Sequence, residues 1–154
     1  MENLHKLITQ LESEITQHET VNLQASTGSV GWHIAHSLKT IDQIVTACKT
    51  SNPKEYQSKF NFKRFLIVDV LNKIPKGKVK APKSVRPEGT ITKETLVLSL
   101  KNLRDNLADW NQLDENAFFQ HPFFDALNKK ATETFLILHT SHHLNIIASI
   151  LRVN

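Results

Sequence analysis

The sequence predicts an all-α protein, an up-down four-helix bundle with an extra shorter helix and a long basic loop. Apolar residues recur at helical spacing in four stretches of about fifteen to twenty-two residues each. No stretch alternates apolar and polar residues in the way of a half-buried strand. Long amphipathic helices joined by shorter irregular segments are typical of bundles. The length of 154 residues suits a single domain over residues 1–154.

The first two helices are predicted from their apolar stripes. The first helix is expected over residues 4–18. The second should begin near Ser29, where Ser-Thr-Gly-Ser supplies turn and capping chemistry, and end before Pro53. Its apolar residues repeat at 4-3-4-3 spacing, which is the seam of a bundle helix: Ile34, Leu38, Ile41, Val45 and Cys48. Because Cys48 continues this seam, we read it as a small core group rather than a nucleophile.

The middle of the chain is read as a helix followed by a basic loop. Residues 60–74 are rich in β-branched and aromatic side chains, which favour a strand, but their length favours a helix. Residues 75–91 hold three of the five prolines and a run of cations: Lys76, Lys78, Lys80, Lys83 and Arg86. One interpretation is a solvated loop, and the other is an anion-binding lid that selects a carboxylate or phosphate substrate. Nucleic acid is disfavoured as a partner because no aromatic residues interleave these cations.

The last two long helices are predicted with similar support. One should begin after Thr92, which can cap it, and bury a 4-3-4-3 seam of Leu96, Leu100, Leu103, Leu107 and Trp110. Residues 114–129 are expected to be irregular. The final helix should run from about Ala131 to Leu151.

Composition limits the setting in which the protein works. The formal charge of +4 is too small to argue for nucleic-acid binding. One cysteine allows no internal disulfide, which suits a reducing, cytoplasmic location. No apolar run reaches the roughly 20 residues that cross a bilayer, and the first residues do not resemble a secretory signal. We therefore expect no membrane partner.

Two histidines of the last helix share its apolar face. Successive residues are spaced about 100° around a helix, so His139 and His143 lie about 40° apart, together with Phe135 and Ile147. Two imidazoles in an apolar seam are costly unless their ring nitrogens are satisfied. A divalent metal would satisfy one nitrogen of each ring. The alternative is a pair of core histidines bonded to nearby oxygens. His142 lies to one side, where it could bond to a ligand histidine or face solvent.

A third ligand would have to come from another helix, and the second helix offers His33 and His36. Periodicity leans slightly towards His33, which lies nearer the edge of the main seam. His36 lies on another, partly apolar flank, which a second neighbouring helix could cover in a bundle. The residues alone leave both open.

The remaining candidate groups are read as structural. His5, His18 and His121 are expected to be surface or capping residues, although His121 could also lie at a pocket rim. No general base is evident, because the candidate carboxylates are better read as solvated helix residues: Asp42, Asp69 and Glu133.

The two histidine motifs resemble those of a known superfamily. Residues 28–37, with His33 and His36, and residues 139–144 resemble the DinB-like (YfiT-like) four-helix-bundle metalloenzymes, in a subgroup of unknown function. The similarity extends through residues 74–83 and 121–124. The resemblance implies that His36, rather than His33, binds the metal together with His139 and His143, with His33 as the fallback. Two positions depart from the pattern: Ile146, where relatives often carry Gln, and Asp125, where they often carry Gly.

The resemblance also implies a function. A divalent ion, zinc first and nickel next, would keep an open position for substrate. The expected activity is of the hydrolase or thiol-dependent transferase type on a small molecule, with a low-molecular-weight thiol whose pKa the metal lowers. The alternative is a non-catalytic bundle with structural histidines, serving in assembly or stress-related binding. Bundles of this kind often pair through a helix face, so a homodimer is one expected assembly.

Overall fold

Helices make up most of the part of the chain that the computed structural model describes, residues 1–58, 60–64 and 82–152. The α-helices are α1 Glu2–Ser13, α2 Val30–Thr50, the single turn α3 Phe62–Arg64, α4 Lys93–Leu107 and α5 Lys129–Leu151. An antiparallel hairpin of β1 Phe118–His121 and β2 Asp125–Asn128 lies between α4 and α5. Short 3-10 turns cover Ile15–Gln17, Pro53–Glu55, Lys83–Val85 and Trp110–Gln112.

Much of the basic segment falls outside this description. The helix predicted over residues 60–74 is described only at α3. Lys76, Lys78 and Lys80 lie outside the described residues, as does Asp69, whereas Lys83 and Arg86 lie within them.

The predicted starts of α2 and α4 are confirmed by their caps. The Ser29 hydroxyl accepts the backbone N–H of Trp32 at 3.1 Å. At α4, Thr92 and Thr95 exchange hydrogen bonds between side chain and backbone, at 3.2 Å and 2.9 Å. These contacts satisfy N–H groups that the first helical turn leaves without partners.

The first helix is shorter than predicted. It ends at Ser13 rather than His18, and the 3-10 turn that follows still buries Ile15. The backbone then turns so that the carbonyls of His18 and Thr20 accept the N–H groups of Gly31 and Val30, at 2.8 Å and 3.0 Å. The chain that leaves α1 therefore satisfies the start of α2, which a continued helix could not do.

The hairpin corrects the all-α prediction, because it lies inside the segment that we expected to be irregular. Phe119 pairs with Leu127, and both side chains are buried. The reversal between the strands places Asp125 at φ 59°, in the left-handed region. Each strand has only four residues, too few for alternation of apolar and polar residues to stand out.

Helix α2 is the central element of the packing. It contacts α4 and α5, and α1 packs on α5. The predicted seams are confirmed as core, since all five residues of each are buried: Ile34, Leu38, Ile41, Val45 and Cys48, with Leu96, Leu100, Leu103, Leu107 and Trp110. A bidentate ion pair from Arg104 to Glu12, at 3.2 Å and 2.7 Å, also joins α4 to α1.

Helix α5 is long and apolar enough to cross a membrane by length and composition alone. A core helix passes the same test, and 39% of its most apolar window is buried inside the protein. Its contacts with α1 and α2 account for this burial. The absence of a membrane partner stays a prediction.

Gly31 offers a test of how α1 and α2 are joined. A Cβ atom there would lie 2.8 Å from the His18 carbonyl oxygen and 3.2 Å from Ile91 Cγ2. Alanine is the better helix former by about 1 kcal/mol. We nevertheless expect Gly31→Ala to lower the free energy of unfolding by about 1–3 kcal/mol, because backbone must move. Urea denaturation measures this change, and a net gain in stability would contradict the close approach.

Candidate metal centre

Three histidines from two helices converge in the structure. His36 of α2 and His139 and His143 of α5 each offer one ring nitrogen, and these atoms lie within 4.8 Å of one another. The ring centroid of His143 is 4.6 Å from that of His36 and 4.6 Å from that of His139. His36 and His143 are buried, and His139 is half-buried. The residues that the sequence nominated as ligands are therefore brought together.

Local structure explains how each ring reaches this position. The Ser29 cap starts α2, so His33 and His36 lie in its first two turns. His139 and His143 lie one turn apart on α5 and project over the same face. Because α2 packs directly on α5, the two pairs meet at the interface of these helices.

The surroundings of His36 determine which of its nitrogens carries the proton. Its Nδ1 is 2.9 Å from the carbonyl oxygen of Val85. A carbonyl can only accept, so Nδ1 carries the proton and Nε2 keeps its lone pair. Trp32 stacks on the other side of the ring, with centroids 5.1 Å apart and planes inclined by 14°. The ring is thus held with one nitrogen ready to bind a metal.

Residues 83–86, which we name the strap, hold this carbonyl in place. Lys39 Nζ donates to the Arg86 carbonyl and Gln43 Nε2 to the Ser84 carbonyl, each at 2.9 Å. With His36, these side chains form one stripe of α2 that binds three consecutive strap carbonyls. The strap lies within residues 82–91, the part of the predicted basic loop that the structure describes. It touches the cluster through its backbone, and the side chains of Lys83 and Arg86 are exposed.

His139 carries an unmet requirement. Its Nδ1 is buried and has no hydrogen-bond partner among the described residues. A buried polar atom without a partner is costly, of the order of 1–3 kcal/mol. A cation bound at that nitrogen would remove the deficit.

His33 lies beside the three-nitrogen cluster rather than in it. Its Nδ1 is 2.9 Å from Nδ1 of His143, and its Nε2 is 2.9 Å from the Ser26 hydroxyl. Both of its nitrogens are therefore engaged. His142 is half-buried and meets His143 edge-on, at 5.3 Å between centroids. His33, the predicted fallback ligand, thus lies next to the cluster. His142, which we expected either to bond to a ligand histidine or to face solvent, lies beside His143.

Burial keeps the rings of His33, His36, His139 and His143 neutral at pH 7. It lowers the pKa of His33 to about 4 and that of His139 to about 3, with a smaller contribution from neighbouring histidines. It also lowers the pKa of His143 far below the ordinary value. For His36 burial again lowers the pKa, and the hydrogen bond to Val85 opposes it. Neutral imidazole is the form that binds metals.

His121 caps the turn of the hairpin, as the sequence suggested. Its Nδ1 accepts the backbone N–H groups of Phe123 and Phe124, at 3.0 Å and 3.2 Å. The ring stacks on Phe124, with centroids 4.3 Å apart, and burial lowers its pKa to about 4. Phe135 touches both His121 and His139, with centroids at 4.8 Å and 5.8 Å. His121 therefore lies one aromatic ring away from the cluster.

The described carboxylates that we considered lie in other contacts. Asp42 accepts from Asn106 Nδ2 at 2.8 Å, and Glu133 pairs with the amino group of Met1. Cys48 is confirmed as a core group, since its side chain is buried, and this burial raises the pKa of its thiol to about 11.

The other two histidines also match their predicted roles. His5 is exposed, and His18 Nδ1 donates to the Ile15 carbonyl at 3.1 Å.

Sequence reasoning missed the groups that hold the cluster from outside. The Val85 carbonyl has no sequence signal, because any residue has a backbone carbonyl. The Ser26 contact with His33 was also missed, although Ser26 is the first residue of the Ser-Thr-Gly-Ser segment that predicted a turn. Its role depends on a contact made across the turn that precedes α2.

The fold and the cluster define a class, a mostly helical protein whose three adjacent imidazoles are compatible with a metal site. The chain belongs to the family described as "Protein of unknown function (DUF1569)", whose family model matches residues 1–149. Neither a curated protein nor a solved structure matches it.

The stability of the metal-free protein should fall as the pH drops from 7 towards 4.5. The unfolded chain binds protons near pH 6.5, whereas His33, His121 and His139 resist protonation until about pH 4 or lower in the folded state. In that window the unfolded state holds more protons, so each group removes up to about 1.4 kcal/mol per pH unit. Urea denaturation in chelator at several pH values measures the slope.

The variant His121→Asn keeps an acceptor for the turn but cannot titrate. It should unfold with a shallower dependence on pH than the wild-type protein. A free energy of unfolding that stays flat between pH 6.5 and 5 would contradict neutral, buried rings.

Proposed function

We propose that this protein binds a divalent metal ion through His36, His139 and His143 and uses it as an enzyme acting on a small molecule. Zinc is the first candidate and nickel the second. The observation that carries the proposal is the convergence of three ring nitrogens from two helices to within 4.8 Å.

The residues present fit such an ion. Two nitrogens that bind one tetrahedral zinc at 2.0–2.1 Å are roughly 3.3 Å apart, so side-chain rotation can bring atoms that lie within 4.8 Å onto one ion. The tautomer of His36 leaves Nε2 available, and Nδ1 of His139 has no partner among the described residues. All three rings are neutral at pH 7.

The donor set favours a catalytic centre over a structural one. Structural zinc sites use four protein ligands, whereas catalytic sites commonly use three and keep one position open. The described cluster contributes three histidines and no carboxylate or thiolate. An ion held there would act as a Lewis acid and lower the pKa of a bound water or thiol. The protein's own part is to hold the rings in place and keep them deprotonated at the ligating nitrogen.

The finer proposal is a DinB-like, up-down four-helix bundle with hydrolase or thiol-dependent transferase activity. The packing order α4, α2, α5, α1 supports the bundle, as does the ion pair between Arg104 and Glu12. The motifs at residues 28–37 and 139–144 support the resemblance. A cytoplasmic location, where small thiols stay reduced, would suit this chemistry.

A non-catalytic bundle is the second candidate, and one observation favours it. His36 and His143 already have hydrogen-bond partners without a metal, in Val85 and His33. The unpartnered Nδ1 of His139 weighs against this alternative, because a purely structural histidine should be satisfied.

Metal uptake by untagged, chelator-treated protein tests the proposal. We expect one equivalent of zinc to bind, and zinc at 100 times its Kd to stabilise the fold by about 2.7 kcal/mol. His36→Ala, His139→Ala and His143→Ala should each weaken zinc binding by more than about 10-fold. His5→Ala removes an exposed histidine on α1 and should bind zinc like the wild-type protein. Elemental analysis measures the bound zinc, and calorimetry measures the zinc affinity and the stabilisation of the fold.

Failure to bind zinc or nickel at micromolar concentrations would overturn the metal centre. An equal loss in the His5→Ala variant would show that the uptake is unspecific.

The thiol-dependent activity has a separate test. Cobalt-loaded protein titrated with glutathione should develop the near-ultraviolet absorption of a thiolate bound to cobalt, because the open position admits a sulfur ligand. The same titration of cobalt-loaded His5→Ala protein should give the same spectrum. A spectrum unchanged by any small thiol would exclude the thiol-dependent branch and leave the hydrolase branch.

A further inference from the structure

We infer that His33 is a positioning residue of the centre, which accepts a hydrogen bond from His143 and thereby keeps that ring in its metal-binding tautomer. Ser26 completes the device by accepting the proton that His33 carries on its other nitrogen. The inference rests on the proposed metal centre and goes beyond it, because it assigns a role to two residues that are not ligands.

The three groups form a continuous hydrogen-bonded chain. Nδ1 of His143 is 2.9 Å from Nδ1 of His33, and Nε2 of His33 is 2.9 Å from the Ser26 hydroxyl oxygen. The backbone N–H of Gly28 donates to the same oxygen at 3.0 Å. His33 and His143 are buried, so the bond between their rings is shielded from water, whereas the bonds to Ser26 are part-buried.

Neutral imidazole has one N–H, which allows two proton arrangements along this chain. In the first, Ser26 donates to His33, His33 donates to His143, and His143 carries its own proton on Nε2. In the second, His143 donates from Nδ1 to His33, and His33 donates from Nε2 to Ser26. The two arrangements share the same heavy-atom distances.

Only the second arrangement leaves Nε2 of His143 able to bind a metal ion. Nδ1 of His143 is occupied by His33, so Nε2 is the nitrogen left for an ion. A ligating nitrogen must present its lone pair, which requires the His143 proton to be on Nδ1. His33 must then accept with Nδ1 and carry its own proton on Nε2, for which Ser26 is the acceptor.

His36 shows why Ser26 matters. The partner of His36 is the Val85 carbonyl, which can only accept and so determines the tautomer by itself. The partner of His143 is a ring that can donate or accept, and its direction depends on what lies beyond it. The Ser26 oxygen, already receiving the Gly28 N–H, is held in place to receive a second hydrogen bond.

Gly28, in the turn before α2, lies close to this contact. A Cβ atom at Gly28 would lie 3.1 Å from the Trp32 side chain and 3.4 Å from Nε2 of His33. Glycine at this position leaves room for the ring and for the Ser26 hydroxyl that bonds to it.

Two substitutions at His33 separate hydrogen bonding from packing. His33→Asn keeps an acceptor oxygen near the position of Nδ1 but leaves a void, whereas His33→Phe fills the space and has no acceptor. We expect His33→Phe to weaken zinc affinity by about 10- to 100-fold and His33→Asn to recover most of that loss. A role in packing alone predicts the reverse order. His5→Phe provides the matched control on the surface of α1.

A spectroscopic measurement tests the tautomers directly. In zinc-loaded protein, long-range proton–nitrogen NMR spectra should show His143 protonated on Nδ1 and His33 protonated on Nε2. Zinc on Nδ1 of His143, or on His33 itself, would overturn the inference. Ser26→Ala, which leaves the core intact, should weaken zinc affinity several-fold and serves in place of His33→Phe if that variant does not fold.

The two proposals fail in different ways. If the wild-type protein takes up no zinc, the metal centre fails and takes this inference with it. If wild-type protein binds zinc and both His33→Phe and Ser26→Ala bind it equally well, only the role of His33 and Ser26 is refuted.

Discussion

The burial of three imidazole rings between α2 and α5, with a fourth half-buried beside them, is the constraint to which the surrounding structure responds. Each ring has two nitrogens that lose water on folding, and each nitrogen needs a partner. Most helical backbone groups satisfy one another, so partners must come from elsewhere. The Val85 carbonyl arrives on the strap, and the Ser26 hydroxyl arrives on the turn before α2. These irregular segments are therefore shaped by histidine chemistry as well as by chain connection.

The core away from the cluster is mostly apolar, which concentrates the polar cost at one place. Helices α2 and α4 meet through leucine, isoleucine and valine, and α1, the hairpin and α5 add further apolar residues to the same core. Such a core can tolerate a locally unfavourable site, as proteins commonly do where they function. Rings that are already neutral need not lose a proton to receive an ion, and the Val85 carbonyl fixes the tautomer of His36. The stability of the fold and the proposed metal binding therefore depend on the same side chains.

Helix positions were largely accessible to sequence reasoning, because capping and apolar spacing are local. Ser29 and Thr92 begin helices as predicted, and both 4-3-4-3 seams are buried. The end of α1 and the hairpin were not accessible in this way. The end of α1 depends on carbonyls that accept hydrogen bonds from the first N–H groups of α2. The hairpin consists of strands that are too short to show a periodic pattern. In each case a contact with a distant element outweighs the local pattern.

For the site, the residue types and their spacing along α2 and α5 were enough to nominate the histidines and the chemistry of a metal. Periodicity left open which of His33 and His36 joins the three-nitrogen cluster, the family resemblance implied His36, and the tertiary structure brings His36 to it. Periodicity reports the direction of a side chain around its own helix axis, but not how that helix is rotated against its neighbours. Here α2 is covered on two flanks, so both rings are buried. One then meets the Val85 carbonyl and the other meets His143, contacts that span 49 and 110 residues of chain.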